Sequence, residues 1–235
     1  MTMPERKKFF LTLDEARDAI ACDFSQYPDQ LKLLASLVPL VFGDDAYLIQ
    51  EPNGRKVWLK SSRLKKPTPL PVDQLGEFIL KQLDRQLPTL EHMARICTRV
   101  FQTPVMPARS KNGQSLPGLW VQSGMDDFVC LQCGRCCRKL TYKDGCTVAD
   151  YRRWVELGRT DILAWVGTVK QDGVVAACRI WIVPGTNRYA DTCPWLKRGD
   201  NPTRYICTIH DVRPTICRQY PGTRKHARMT GCRAF

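Results

Sequence analysis

The chain has 235 residues, 43% hydrophobic and 25% charged, enough for one large domain or two small ones with a real core. Its most apolar stretch, residues 33–42, is too short to cross a bilayer and carries Pro39, so no membrane partner is expected. The formal charge of +13 suits a polyanionic partner, yet no helix-turn-helix, finger or aromatic RNA-binding pattern accompanies it, which speaks against nucleic acid.

The predicted elements begin with a helix capped by Thr12 and Glu15, carrying Leu13, Ala16, Ala19 and Ile20 on one face. A second helix is expected from Pro28 to Val38. Residues 46–60 read as a β-hairpin turning at Asn53 and Gly54. The run PTPLP at 67–71 breaks the chain, and two further helices are expected over Val72–Leu87 and Pro88–Phe101. Cys22 and Cys97 fall in these helices and read as small core residues. Residues 103–120, rich in Pro, Gly and polar side chains, read as a linker, with a domain boundary near residue 115.

The second part, 116–235, holds ten of the twelve cysteines. A helix is expected after Thr147, with Asp150 as its N3 partner, and another over residues 160–167 capped by Thr160. Residues 174–183 read as a strand ended by Pro184 and Gly185, and a last helix is expected at Pro214. The fold class is therefore α+β: a mainly helical N-terminal region with a β-hairpin, then a small irregular cysteine-rich domain stapled by metal.

No export signal is read at the N-terminus, so the protein is expected in the cytoplasm, where clustered thiols are metal ligands or redox groups rather than disulfides. Cys130, Cys133 and Cys136 are each separated by two residues, a spacing that lets a loop curl its sulfurs toward one centre. Gly134 supplies the freedom for the curl. Cys193, followed by Pro194, is a candidate distal ligand. Cys137, adjacent to Cys136, either serves a second site or joins the first through a distorted loop. Cys207, Cys217 and Cys232 in the final segment bring the total to eight, enough for two four-thiolate sites or one cluster with spare thiols. Cys178 reads as packed in a strand, and Cys146 is open. Residues 197–235 carry nine Lys or Arg against Asp200 and Asp211, a surplus that thiolate sites would offset. His210 and His226 read as neighbours of the site rather than ligands.

Three blocks, FVCLQCGRCC, CPWL and YICTIHDVRPTICRQYP, resemble the YkgJ-type cysteine-cluster family, also described as a zinc- or iron-chelating domain, over about residues 126–232. The resemblance implies that Cys130, Cys133, Cys136, Cys137, Cys193, Cys207 and Cys217 are the family cysteines, with Cys232 as the last. It also singles out Arg213, Pro214, Arg218 and Tyr220. Pro214 would set the direction of Cys217, and Arg213 and Arg218 are the candidate cofactor-side cations.

Three cysteines spaced by two, the distal Cys-Pro and the family point to a [4Fe–4S] cluster first and zinc second. The expected function is metal binding as a redox or metal-handling accessory, with a client or protein partner reached through the N-terminal region. The alternatives are a zinc-stapled interaction module and part of a cluster-dependent modification enzyme. No catalytic motif is present: there is no nucleotide loop, and Cys133-x3-Cys137 supplies only the first gap of a radical-SAM motif.

Overall fold

The computed structural model describes residues 8–111, 114–139 and 146–234. The chain is α+β and divides into two compact units, one running up to residue 126 and including 223–225, the other formed by 127–222 and 226–234.

The N-terminal unit opens with strand β1 (Lys8–Leu11) and helix α1 (Leu13–Gln26). Thr12 caps α1 as expected: its hydroxyl accepts from the Glu15 amide, and the Glu15 carboxylate accepts from the Thr12 amide at 2.8 Å. Ala16, Ile20 and Phe24 form the buried face of α1, which leaves Cys22 exposed rather than in the core. Helix α2 (Leu31–Phe42) starts later than expected because the Gln30 side chain ties back to the Tyr27 carbonyl at 2.7 Å. It runs through Pro39 because Val41 and Phe42 continue its buried stripe.

Strands β2 (Tyr47–Gln50) and β3 (Lys56–Lys60) form the expected hairpin, with Gly54 at φ +71° in the turn. The PTPLP run does not simply break the chain. It becomes strand β4 (Thr68–Pro71), antiparallel to β3 at the sheet edge, where proline costs no ladder hydrogen bond. Helices α3 (Leu75–Arg85) and α4 (Leu90–Phe101) follow. Thr89 caps α4, so Pro88 lies just before the helix instead of in its first turn.

The expected linker is also corrected. Residues 105–108 and 118–122 form strands β5 (Val105–Ala108) and β6 (Gly118–Gln122), and β6 is the centre of a sheet ordered β1-β6-β5. Phe9 and Val105 both pair with Val121. Gly118 is required there: a Cβ would meet the Leu11 carbonyl at 2.4 Å. Because β6 pairs with β1, residues 118–122 pack with the N-terminal unit. Leu37, Leu59, Ile79, Ile96, Cys97 and Leu119 are fully buried in its single apolar core. Lys225, buried in the same unit, donates to both Asp23 carboxylate oxygens at 2.7 Å and to the Val100 carbonyl at 2.8 Å.

In the cysteine unit, α5 (Arg135–Lys139) follows the first thiol loop. Helix α6 (Val148–Glu156) carries the expected capping box between Thr147 and Asp150. Helix α7 (Thr160–Leu163) is a single turn without a side-chain cap. Residues 166 and 167, expected to continue it, start strand β7 (Val166–Gln171), which pairs with β8 (Val174–Ile180) across an Asp172-Gly173 turn. Strands β9 (Leu196–Arg198) and β10 (Tyr205–Cys207) pair next, then α8 (Thr215–Gln219) starts after Pro214. Helix α9 (Arg224–Met229) ends the fold. A small core gathers Trp154, Ile162, Ile180, Trp181 and Ile209 with Cys146 and Cys178. No helix among the described residues is long and apolar enough to cross a membrane.

Candidate metal centre

The first thiol loop is shaped by two left-handed residues, Gln132 at φ +53° and Gly134 at φ +65°. Only glycine fits at 134, since a Cβ would lie 2.8 Å from the Tyr205 ring. The curl directs backbone toward sulfur: the Gln132 amide donates to Cys130 Sγ at 3.4 Å. Tyr205 fastens the loop, donating from its amide to the Gln132 carbonyl at 2.7 Å, and Arg138 stacks over its ring at 4.5 Å. Arg138 also donates to the Cys133 carbonyl at 3.3 Å.

The distal thiols reach this loop through four local devices. The Cys193 amide donates to the Cys137 carbonyl at 3.2 Å. The β9–β10 register sets Cys207 opposite Leu196, three residues after Cys193. Gly231, at φ +68°, lets the Arg135 guanidinium lie where a Cβ would be, about 3.0 Å away, and so brings Cys232 beside the loop. Tyr220 bonds Thr230 through its hydroxyl at 2.6 Å and meets the His226 ring edge-on, which holds the last turn in place.

Cys217 is placed by α6. The buried Asp150 carboxylate, beyond capping its own helix, accepts from the Thr215 amide at 3.0 Å and its hydroxyl at 2.9 Å, and pairs with Arg218 at 3.2 Å. Trp154 donates to the Val212 carbonyl at 2.7 Å, and Arg153 to that of Arg213 at 3.0 Å. Arg218 thus stands on Asp150 and Thr215, whereas Arg213 is close enough to lower the cost of ionising Cys207 and Cys217. The sequence reading saw Asp150 only as a cap. A second role for a capping carboxylate has no local pattern, because its partner lies 65 residues away.

The electrostatics sort the eight thiols. Burial pushes Cys217 up first, and Cys193, Cys137 and Cys207 add to it. Burial likewise takes Cys193 up to about 12, with Cys137 and Cys207 contributing. Cys130 is raised by burial, then by Cys133, Cys137 and Cys232. Tyr220 is raised to about 12 by burial and feels Cys136, Cys232 and Cys133. Cys136 and Cys137 meet with sulfurs 3.9 Å apart, and that contact is the largest cause raising Cys136. All eight sequence-predicted cysteines are therefore drawn into one neighbourhood, with Cys137 common to both ends. Cys146 and Cys178 face each other across a β-bridge in the apolar core and lie outside this set. His210 is exposed, and partial burial holds it below the usual histidine range.

Desolvated thiols packed together are costly to ionise, so the thiolate form calls for a cation. Among the described residues no three thiol, imidazole or carboxylate groups close to the spacing of a single-ion site. The donor set itself fits a soft metal: eight sulfurs, with two buried donors beside them that have no other partner. The Trp181 indole N–H lies toward Cys193 and favours its thiolate, and the Arg135 Nε–H lies by the loop that carries Cys232.

Comparison with known proteins agrees with the donor chemistry. Residues 129–233 match the model of the CxxCxxCC family, described as a putative zinc- or iron-chelating domain, the family whose motifs the three blocks resemble. No curated protein and no solved structure gives a match.

Proposed function

We propose that, starting from a zinc- or iron-chelating domain at residues 129–233, the protein is a cytoplasmic redox or metal-handling accessory whose cysteine unit holds [4Fe–4S] clusters. The observation that carries this reading is the gathering of the eight thiols around the adjacent pair Cys136 and Cys137, whose sulfurs lie 3.9 Å apart. We assign Cys130, Cys133, Cys136 and Cys232 to one quartet and Cys137, Cys193, Cys207 and Cys217 to the other. The Cys193 amide on the Cys137 carbonyl, and the effect of Cys137 on Cys193, Cys207 and Cys217, support the second quartet; Cys130 feels Cys137 as well, as adjacent sites would require.

A bound cluster supplies one-electron exchange or a transferable iron–sulfur unit. The chain's own residues do the rest. Amide and indole N–H groups donate toward sulfur, Arg213 offsets thiolate charge near Cys207 and Cys217, and the Asp150 anchor orients the helix that carries Cys217. Two thiolate-rich sites would also account for part of the surplus positive charge of residues 197–235.

The test is anaerobic purification with absorbance and iron, sulfide and zinc analysis. The expected protein is brown, absorbs broadly near 400 nm, and carries about four iron and four sulfide per cluster. A colourless protein with stoichiometric zinc and no iron would replace this reading with a zinc-stapled interaction module.

A further inference from the structure

The outer face of the β2–β3–β4 sheet plays no part in the core. Strand alternation buries Leu48, Val57, Leu59 and Leu70 wholly or partly on one side and turns Tyr47, Ile49, Trp58 and Pro69 outward. Register places Ile49, Trp58 and Pro69 in one row across the three strands, with Tyr47 opposite Lys60 in the next row and Lys56 opposite Pro71 in the one before. Tyr47 is 51% exposed, Ile49 43% and Trp58 37%. An apolar row of this kind on an unpartnered sheet face is a mark of interaction.

The face is also built. The Trp58 indole donates to the Glu51 carboxylate at 3.0 Å, which fixes the ring, and the Lys60 ammonium covers the Tyr47 ring at 6.0 Å. Between Tyr47 and Pro71 the chain carries Arg55, Lys56, Lys60, Arg63, Lys65 and Lys66 against Glu51 alone. Arg55, Lys56, Lys65 and Lys66 are exposed and make no ion pair with a described residue. Asp45, at the end of the face, is occupied by the Ser62 amide.

We infer that this face docks an acidic polypeptide segment of the partner or client, its apolar side chains seated on the Ile49–Trp58–Pro69 row and its carboxylates met by the surrounding lysines and arginines. The inference rests on the accessory reading above and names the chemistry of its partner. Charge complementarity selects an acidic occupant. One feature selects polypeptide over single-stranded nucleic acid: consecutive bases need free aromatic faces, whereas Tyr47 is covered by Lys60, leaving Trp58 alone among aliphatic neighbours.

The experiment uses the metal-loaded full chain and fluorescence anisotropy with a labelled peptide of about 15 residues, Asp and Glu interspersed with Leu and Phe. The controls are an all-Glu peptide and an oligothymidylate of similar length. Because each apolar anchor and each charge contributes separately, the peptide should bind more tightly than either control. It should weaken about tenfold in Trp58→Ala, in Ile49→Ser and in the double variant Lys56→Glu with Lys60→Glu, and weaken with added salt. The double variant touches no core residue, since Lys56 is exposed and Lys60 half-buried at the strand end, so it keeps the test valid should Trp58→Ala fold poorly. Absence of peptide binding, or binding unchanged in the double variant, overturns the inference. Preferential oligothymidylate binding lost in the same variants also overturns it and reassigns the face to nucleic acid. Iron analysis of each variant separates the two readings: docking lost with iron retained speaks to this face alone.

Discussion

The two units cohere by different means. Among the described residues the core of the N-terminal unit gathers twenty-four buried apolar residues and that of the cysteine unit seven, two of them cysteines. At roughly 25 cal/mol per Å² of buried apolar surface, the first therefore has much the larger hydrophobic term. Much of the cysteine unit's interior is instead thiols, which pack as small apolar groups while protonated and cost free energy once ionised, unless a cation compensates. A unit with so small an apolar core is expected to depend on bound metal for its stability.

Metal removal gives the largest expected effect. Chelation should unfold the cysteine unit while the N-terminal helices persist, read as partial loss of far-ultraviolet circular dichroism and loss of amide protection confined to residues 127–222 and 226–234. One cooperative transition, indifferent to chelation, would break the comparison.

Cysteine replacements sharpen it. Ser replaces a soft thiolate with a hard hydroxyl, so Cys133→Ser and Cys193→Ser should each abolish one quartet's metal and leave the other's, halving the iron per chain. Cys217→Ser should follow Cys193→Ser. Cys22→Ser should leave iron at the parental level, as should Cys97→Ser, whose cost falls instead on the N-terminal core, about 1–3 kcal/mol for a hydroxyl without a partner. Cys178→Ser should also keep its iron. If Cys178→Ser loses iron and Cys217→Ser does not, the quartets are misassigned.

In the N-terminal unit the largest polar effect should come from Lys225. Lys225→Met leaves the Asp23 carboxylate buried without its cation, at a cost of about 3–5 kcal/mol in the thermal or urea midpoint of that unit, with most of it recovered in Asp23→Leu combined with Lys225→Met. If the single variant is silent, the pair does not contribute to the unit's stability. Thr12→Ala, which removes a cap, should cost about 1 kcal/mol.

The smallest effect concerns Asp84, held below the usual carboxylate range by its hydrogen bonds from Arg17. A depressed carboxyl contributes stability above its unfolded pKa and loses it as pH falls through the folded one. This pair is exposed and screened, so Asp84→Asn should leave the acid limb of a melting-temperature profile nearly unchanged.

Where local chemistry is self-sufficient, the sequence alone decided the outcome. The Thr12–Glu15 and Thr147–Asp150 boxes, the Asn53-Gly54 hairpin and the α+β class could be read from short-range patterns because their hydrogen bonds close within a few residues. The eight thiols were legible for a similar reason, since soft donors at two-residue spacing have few other uses. Other elements were misread for their composition. Strands β4, β5 and β6 contain Pro69, Pro107 and Gly118 and so mimicked a break and a linker, and the pairing of β6 with β1, more than a hundred residues away, has no local signal. Cys22 was read as core because cysteine is so often a small packed residue, although it lies off the face marked by Ala16 and Ile20. The Asp172-Gly173 turn of β7–β8 was a signal that could have been found.

Only the tertiary structure shows the surroundings of Cys137. Sequence spacing left it between two sites; its carbonyl accepts from the Cys193 amide at 3.2 Å, and its sulfur lies 3.9 Å from that of Cys136. Asp150 positioning Cys217 and Lys225 neutralising Asp23 are likewise tertiary facts, made across 65 and 202 residues. Such contacts depend on the loop-closure entropy and packing of the whole chain, and no local pattern encodes them.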